Sequence, residues 1–459
     1  MDAEEVMIFQ SLLRDTEIGS NSYMLDTGDC KIIFDAGMHP KQEAWEAIPQ
    51  YNELPHNSVD AIFLTHSHLD HAGTLPVLMR DQPEAPVYMT AATAGLTDAL
   101  LHNSVNVMQS KRTELGITEY PLYGHRELDR LEMRWRKRDY GERIDLTMDT
   151  SAKLFDAGHI LGSAGVMVEK DDQRIFYTGD INFEDQTLIT GANFPEEGID
   201  TLIIETTRGA APRDPDYERE KEEQRLCDAI LETINNGGSA LIPVFAMGKT
   251  QEVLTMLHKF KQSGRIPEKT PVFIGGLSTK MTILFDEFAD TTPRQMPGFE
   301  IFRDMDVRAA SKKGSRKPIA YQPGAIYALS SGMMTEKTTS NGFAHGFISN
   351  AKNSLLFVGY AAPDSPAGAI RASKQGDVIK LSEDLTPVPF NCAMDIFDFS
   401  GHSERDAILA YMLKVAPRKM FLVHGDIAAS EWFRDQLAEQ LPDCDVTIPQ
   451  PRKIYDLKK

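Results

Sequence analysis

The sequence predicts an α/β protein of more than one domain. Three observations support this. Short apolar, β-branched runs alternate with helix-period segments. The chain of 459 residues is too long for one small core. Unusual His and Asp residues gather in the first and last parts of the chain, so that the middle, roughly 208–390, reads as an insertion.

Taken in order, strands are predicted at 31–35 (KIIFD), 60–65 (DAIFLT), 174–178 (RIFYT), 201–205 (TLIIE), 239–244 (SALIPV), 271–275 (PVFIG), 325–330 (AIYALS), 353–359 (NSLLFVG) and 419–424 (KMFLVH). Each is a short run whose apolar residues suit a strand buried on both faces. Helices are predicted at 249–260 (KTQEVLTMLHKF) and 404–415 (ERDAILAYMLKV). Ser403 followed by Asp406 has the S-x-x-D form of a capping box ahead of the second helix. After Glu205 the composition shifts, and 206–224 is polar and rich in proline and charge, as expected where a chain crosses between domains. The expected division is one domain from 1–207 and 391–459, with 208–390 inserted into it.

No apolar run approaches the roughly 18 residues needed to span a bilayer, and the acidic N-terminus is unlike a secretory leader. No membrane association and a cytoplasmic location are the resulting expectations. The four cysteines, Cys30, Cys227, Cys392 and Cys444, are far apart and read as reduced thiols, so any metal must be held by His and carboxylates. A formal charge of −20 argues against a broad surface that coats nucleic acid, though a cleft can still be locally positive.

The strongest chemical signal is Thr65-His66-Ser67-His68-Leu69-Asp70-His71-Ala72-Gly73. It follows a buried strand, where a turning backbone can aim several imidazoles and a carboxylate into one space. Further donors sit in similar settings: Asp35 ends KIIFD, His159 lies in DAGHILGSAG, Asp180 follows RIFYTG, and His424 follows KMFLV. Strand ends are where α/β sheets present functional residues, and the adjoining small residues let backbone approach an ion. Imidazole plus carboxylate suits zinc with a position open to water.

These residues resemble the metallo-β-lactamase superfamily, whose hallmark is the HxHxDH loop with later His, Asp and His ligands. The resemblance implies an αββα sandwich and two zinc ions. It implies that His66, His68 and His159 hold the first ion, that Asp70, His71 and His424 hold the second, and that Asp180 bridges them. Asp35 is expected to orient residues of the HxHxDH loop.

Three further segments narrow the branch: Leu202-Ile203-Ile204-Glu205-Thr206-Thr207, Phe399-Ser400-Gly401-His402-Ser403 and Leu422-Val423-His424-Gly425-Asp426. They resemble motifs A, B and C of the β-CASP nucleases. Pro243-Val244-Phe245-Ala246-Met247-Gly248-Lys249-Thr250-Gln251-Glu252 resembles that group's PxFAxGRxQE segment, and Ser330-Ser331-Gly332-Met333-Met334 its SxGM loop. The overall pattern is similar to the nuclease subunit of the cleavage and polyadenylation machinery and its shorter prokaryotic relatives. There are departures. Glu404 takes the place of an Asp in motif B, Lys249 replaces an Arg and loses its planar fork, and INFEDQTLITG after Asp180 differs from the usual sequence.

The resemblance implies a zinc-dependent hydrolase that cleaves phosphodiester bonds of single-stranded RNA in a cleft between the domains. Two zinc ions about 3.5–4 Å apart would acidify a bridging water, and the hydroxide would attack phosphorus. Asp70 belongs to the catalytic set, His402 is the expected general acid, and Glu205 would orient it. Lys249, Ser331 and Gly332 are the expected substrate contacts, and a homodimer is an assembly the reading allows. Competing readings are a metallo-hydrolase acting on DNA or a small phosphodiester or ester, and a non-catalytic scaffold. Two basic runs could meet phosphates: Arg134-Trp135-Arg136-Lys137-Arg138, and Lys312-Lys313 through Arg316-Lys317. Asp129, Glu132, Asp139 and Glu142 surround the first, which is expected to be a solvated helix face laced with ion pairs.

Overall fold

The computed structural model describes residues 6–16, 18–309 and 319–458. The chain packs into two compact units. One comprises Met1–Asp185, Gly191–Arg213 and His402–Lys459, and the other Gln186–Thr190 and Asp214–Gly401.

The first unit is built on two seven-stranded sheets. One runs, in spatial order, Ile454–Asp456, Ile8–Ser11, Tyr23–Asp26, Lys31–Phe34, Ala61–Phe63, Val87–Met89 and Trp135–Lys137. The last four of these are mutually parallel. The other runs Asp445–Thr447, Lys419–Val423, Thr201–Glu205, Gln173–Tyr177, Ala164–Lys170, Thr150–Asp156 and Ile144–Asp145, with the first four parallel. The predicted strands form because their β-branched and aromatic residues fit pleated surfaces covered on both faces. Phe34 and Phe63 from one sheet meet Val166, Tyr177, Ile203 and Phe421 from the other in a core between the sheets. Outside the first sheet, Val87 and Ile62 pack with Leu78, Leu101 and Leu128 of helices Leu75–Asp81, Ala91–Leu115 and His125–Leu131. Outside the second, Leu202 and Leu422 pack with Ile408, Met412 and Phe433 of helices Arg405–Val415 and Ile427–Gln440. The layers are therefore αββα, and the parallel strands of both sheets end at the edges that carry the expected site residues.

The second unit holds a parallel six-stranded sheet ordered Val307–Ala309, Val272–Gly275, Ile326–Leu329, Ala240–Pro243, Ser354–Phe357 and Ala393–Ile396. Helix Lys249–Gln262 buries Val253, Leu254 and Leu257, while Leu241, Tyr327 and Leu355 pack with Ala344, Phe347 and Ile370.

Two local expectations are corrected. The cap of helix Arg405–Val415 is Glu404, whose carboxylate accepts the Ala407 N–H at 3.2 Å. Ser403 does not cap it; its hydroxyl accepts the Phe183 N–H at 2.7 Å. Residues 134–138 are not a helix face either: Trp135–Lys137 is an edge strand paired with Val87–Met89, because the buried Trp135 ring and the neighbouring strand override the polar local pattern. The run from Lys312 to Lys317 lies outside the described residues. Cys30, Cys227 and Cys392 are buried and Cys444 half-buried, all as free thiols. No helix among the described residues is long and apolar enough to cross a membrane.

Candidate metal centre

The parallel strands of the first sheet deliver Asp35 and the 65–73 loop to one edge, and those of the second deliver Asp180, Glu205 and His424. All the expected ligands belong to the first unit. They fall into two groups whose ligand atoms lie within 4.8 Å of one another: His66, His68, His159 and Asp180; and Asp70, His71 and His424. A third group joins Asp180 to Glu205 and His402.

In the first group, His68 Nδ1 lies 3.1 Å from both His66 Nε2 and His159 Nε2. Asp180 Oδ2 is 3.6 Å from His66 Nε2 and from His159 Nε2. In the second, His424 Nε2 is 3.3 Å from both His71 Nε2 and Asp70 Oδ2. Asp180 turns its other oxygen, Oδ1, toward this group, at 3.2 Å from His71 Nε2 and 3.1 Å from His424 Nδ1. Ligand atoms around a tetrahedral ion with bonds of about 2.0–2.1 Å are spaced by about 3.3–3.4 Å, so both groups have the spacing of a coordination shell. Asp180 Oδ1 is also buried, and among the described residues no N–H or O–H is aligned to donate to it, the two nearby ring nitrogens included. An orphaned carboxylate oxygen is costly unless a cation faces it, and the donor set suits a zinc-like ion.

Asp35 explains how the loop is held. It is wholly buried and adopts φ 60°, a left-handed conformation that costs an L-residue about 1–2 kcal/mol. Its Oδ1 accepts from the Thr65 N–H at 2.8 Å and the Thr65 hydroxyl at 2.9 Å. Its Oδ2 accepts from the Tyr177 hydroxyl and from His71 Nδ1, both at 2.8 Å. Hydrogen bonds to a charged acceptor contribute about 1.5–3 kcal/mol each, so the network outweighs the strain. Facing a carboxylate, His71 would keep the proton on Nδ1 when an ion is bound, leaving Nε2 to face the centre. Gly37 permits the close approach: a Cβ there would lie 1.7 Å from the Asp70 carbonyl oxygen.

Charge follows the same geometry. Burial, with His71 beside it, holds the His66 imidazole well below its usual range. Burial raises the Asp180 carboxyl, but His424, His71 and His66 outweigh it and hold the group well below the carboxylate range. Burial also opposes ionisation of Asp70, yet the His424 hydrogen bond and the nearby imidazoles bring it to about 2. Two imidazoles move the other way. Burial lowers His71, but Asp180 and Asp35 outweigh it and hold the ring well above its usual range. His402 behaves alike. Burial lowers it, but Glu205 and Asp180 more than compensate and lift it to about 9. Its Nδ1 lies 3.0 Å from Glu205 Oε1, and its Nε2 lies 3.9 Å from Asp180 Oδ2. Glu205 is wholly buried and also accepts the N–H groups of Ile181 at 2.7 Å and Thr207 at 3.3 Å, fixing the loops beside Asp180 and His424.

Three expected residues lie in the second unit. Lys249 begins helix Lys249–Gln262 and donates to the Phe399 carbonyl; burial brings its ammonium down to about 8. Adjacent parallel strands Ala240–Pro243 and Ile326–Leu329 bring Lys249, Ser331 and Gly332 to one sheet edge. There Ser331 Oγ accepts the Thr335 N–H at 3.2 Å, and a Cβ on Gly332 would lie 3.1 Å from the Phe245 nitrogen. Sequence reasoning missed Asn21, Tyr177 and Thr207. Asn21 Nδ2 donates to the Asp70 carbonyl at 3.1 Å and lies 3.2 Å from His71 Nε2. The Thr207 hydroxyl lies 2.9 Å from His424 Nδ1. Nothing in their local sequence distinguishes them from ordinary buried polar residues.

Family models match three consecutive segments: the metallo-beta-lactamase superfamily at 15–227, the Beta-Casp domain at 250–370, and the Zn-dependent metallo-hydrolase RNA specificity domain at 387–449. The chain is 29% identical over 426 residues to transcription termination factor FttA of Methanocaldococcus jannaschii, covering 89% of this chain and 65% of that protein. It is 26% identical over 447 residues to cleavage and polyadenylation specificity factor subunit 3 of Dictyostelium discoideum, covering 95% and 55%. The chain thus spans less than two thirds of each of these relatives. A crystal structure of a protein of unknown function from Enterococcus faecalis V583 shares the fold with a TM-score of 0.59 at 14% identity, covering 98% of this chain and all of that one.

Proposed function

Starting from a chain that belongs to the metallo-β-lactamase superfamily and carries a β-CASP domain, we propose that it is a two-zinc hydrolase of phosphodiester bonds in single-stranded RNA. His66, His68 and His159 would hold one ion and Asp70, His71 and His424 the other, with Asp180 placed to serve both. The observation that carries this reading is the way the two Asp180 oxygens divide, Oδ2 toward the first trio and Oδ1 toward His71 and His424. Bound zinc supplies positive charge for the phosphate oxygens and acidifies water near neutral pH.

The remaining work falls to side chains. His402 Nε2 gives a proton to the departing sugar oxygen, with Nδ1 held by Glu205 so that the ring faces Asp180 and its charged form is favoured. Asp35 keeps the His71 lone pair aimed inward. In the second unit, Lys249 offers RNA a cation and the Ser331–Gly332 segment offers phosphates its backbone N–H groups. The RNA preference is supported by the RNA specificity domain matched at 387–449 and by relatives named for transcription termination and for cleavage and polyadenylation.

The test is purified protein with end-labelled single-stranded RNA and DNA in parallel, with and without chelator. The reading expects chelator-sensitive cleavage of RNA in preference to DNA. Equal or greater cleavage of DNA would overturn the substrate assignment, and cleavage that survives removal of all metal would overturn the chemistry.

A further inference from the structure

We infer that the edge strand Trp135–Lys137, with helix His125–Leu131 before it, forms a basic strip that guides the phosphate backbone of single-stranded RNA to the metal centre. This rests on RNA being the substrate. Residues 126–138 contain six Arg or Lys against three acids, in a chain whose formal charge is −20. Two of those acids are already engaged: Glu127 pairs with Arg80 at 2.8 Å, and Asp129 lies 3.6 Å from His102. Of the cations, Arg134 meets Glu84 at 3.4 Å and Arg138 meets Glu142 at 3.3 Å. Arg126, Arg130, Arg136 and Lys137 are exposed and have no acidic partner among the described residues. Arg126 and Arg130 are four residues apart on one helix face.

The topology gives the strip a direction. Strands Lys31–Phe34, Ala61–Phe63, Val87–Met89 and Trp135–Lys137 are parallel neighbours. Their C-terminal ends therefore share the edge that carries Asp35 and His66. With strands about 4.8 Å apart, the end of Trp135–Lys137 lies about 10 Å along that edge from the 65–73 loop. Just beyond it, the Tyr140 hydroxyl donates to the Ser163 carbonyl at 2.9 Å, and Ser163 Oγ accepts the His159 N–H at 3.1 Å. The basic strand thus ends against the loop that holds one of the metal-centre histidines. Among the described residues its outer edge is unpaired and presents backbone N–H groups beside the cations. Charges at such an edge can also serve only to block strand pairing, and the experiment separates the two roles.

The double variant Arg136→Glu/Lys137→Glu changes exposed side chains on a paired strand. Binding of a fluorescently labelled 30-nucleotide RNA is measured by anisotropy from 50 to 300 mM KCl in chelator, so that nothing is cleaved. Hydrolysis of bis(p-nitrophenyl) phosphate with added zinc is measured in parallel. Lys453→Glu, exposed just before strand Ile454–Asp456 at the opposite edge of the sheet, controls for a charge reversal elsewhere on the surface. The expected result is RNA affinity at least 10-fold weaker and a log–log salt slope shallower by about 1.4, at 0.7 per lost single-strand phosphate contact. Hydrolysis of the small ester stays at the parent rate, and Lys453→Glu binds within twofold of the parent. RNA affinity within twofold of the parent in the double variant would overturn the strip. So would equally tight binding of polyglutamate by the parent protein, which would mark an acidic-protein surface. Absence of ester hydrolysis in the parent, with salt-sensitive RNA binding intact, would instead count against the hydrolase reading and leave the strip standing.

Discussion

Replacing Asp35 by Asn tests how the 65–73 loop is held, and its cost can be worked from the contacts. The two carboxylate oxygens serve opposite neighbours: Oδ1 takes the Thr65 N–H and hydroxyl, and Oδ2 takes the Tyr177 hydroxyl and His71 Nδ1. An asparagine has one acceptor and one NH2. With the NH2 on the Oδ2 side, it faces the donors of His71 and Tyr177; flipped, it faces the Thr65 N–H. The Thr65 and Tyr177 hydroxyls can turn away, but a backbone N–H or a ring N–H cannot. In the flipped orientation the Thr65 N–H is stranded, at about 1–3 kcal/mol. In the first, either the His71 Nδ1–H is stranded at similar cost or its proton moves to Nε2, and in both cases charge assistance is lost from the other bonds. In the first orientation His71 loses its reason to keep the proton on Nδ1, so the lone pair facing the metal is no longer assured. Losing such an outer partner lowers metal affinity by about 10–100-fold, or about 1.4–2.8 kcal/mol at 1.4 kcal/mol per decade. The assay is zinc competition against a chromophoric chelator, with thermal melting of the metal-free protein beside it. The expected outcome is weaker binding and a lower melting temperature. Parent-like zinc affinity in a variant that melts earlier would refute the claim that Asp35 positions His71 for metal.

Substitutions at four other residues report on separate parts of the account. His402→Ala should keep its full zinc content and lose about 10²–10⁴-fold in hydrolysis, whereas His68→Ala should lose zinc and activity together; metal analysis beside rate measurements checks both. Glu404→Ala should destabilise by about 0.5–2 kcal/mol by uncapping helix Arg405–Val415, with Glu404→Asp retaining much of it; a silent Glu404→Ala in chemical denaturation would return the cap to Ser403. Asp156 has its carboxyl raised to about 6, by burial opposed by the Gly158 N–H and Tyr140. Between its ordinary value near 4 and about 6 the folded state holds the extra proton, so this residue's contribution falls as pH rises through that window and is level above it. Asp156→Asn should remove that decline from the melting temperature measured against pH.

Much of the fold and centre could be read directly because two strong physical signals coincide there. Runs such as TLIIE and KMFLV are short, apolar and bounded by polar residues, which favours strands buried on both faces, and the parallel strands that result bring Glu205 and His424 to neighbouring strand ends. The 65–73 loop packs its imidazoles so densely that few roles other than cation binding suit it. The supporting residues carried no such signal. Asn21, Tyr177 and Thr207 are remote in sequence from the groups they hold, and a buried polar residue reveals its partner only once the chain has folded. Arg134 to Arg138 differ from their sequence pattern for a related reason. Their charge and short-range pattern suggest a solvated helix, while the pairing of Trp135 with Val87 that makes them a strand spans a long separation in sequence. Ser403 and Glu404 are adjacent candidates for one cap, and the Phe183 N–H, supplied from elsewhere in the fold, decides between them.

Anomalous X-ray scattering at the zinc edge, on crystals grown with zinc, would test the centre most directly. Two peaks are predicted, one among His66, His68 and His159 and the other among Asp70, His71 and His424, with a different Asp180 oxygen facing each. A single peak, or zinc held only away from Asp180, would contradict the proposal that this carboxylate spans two ions.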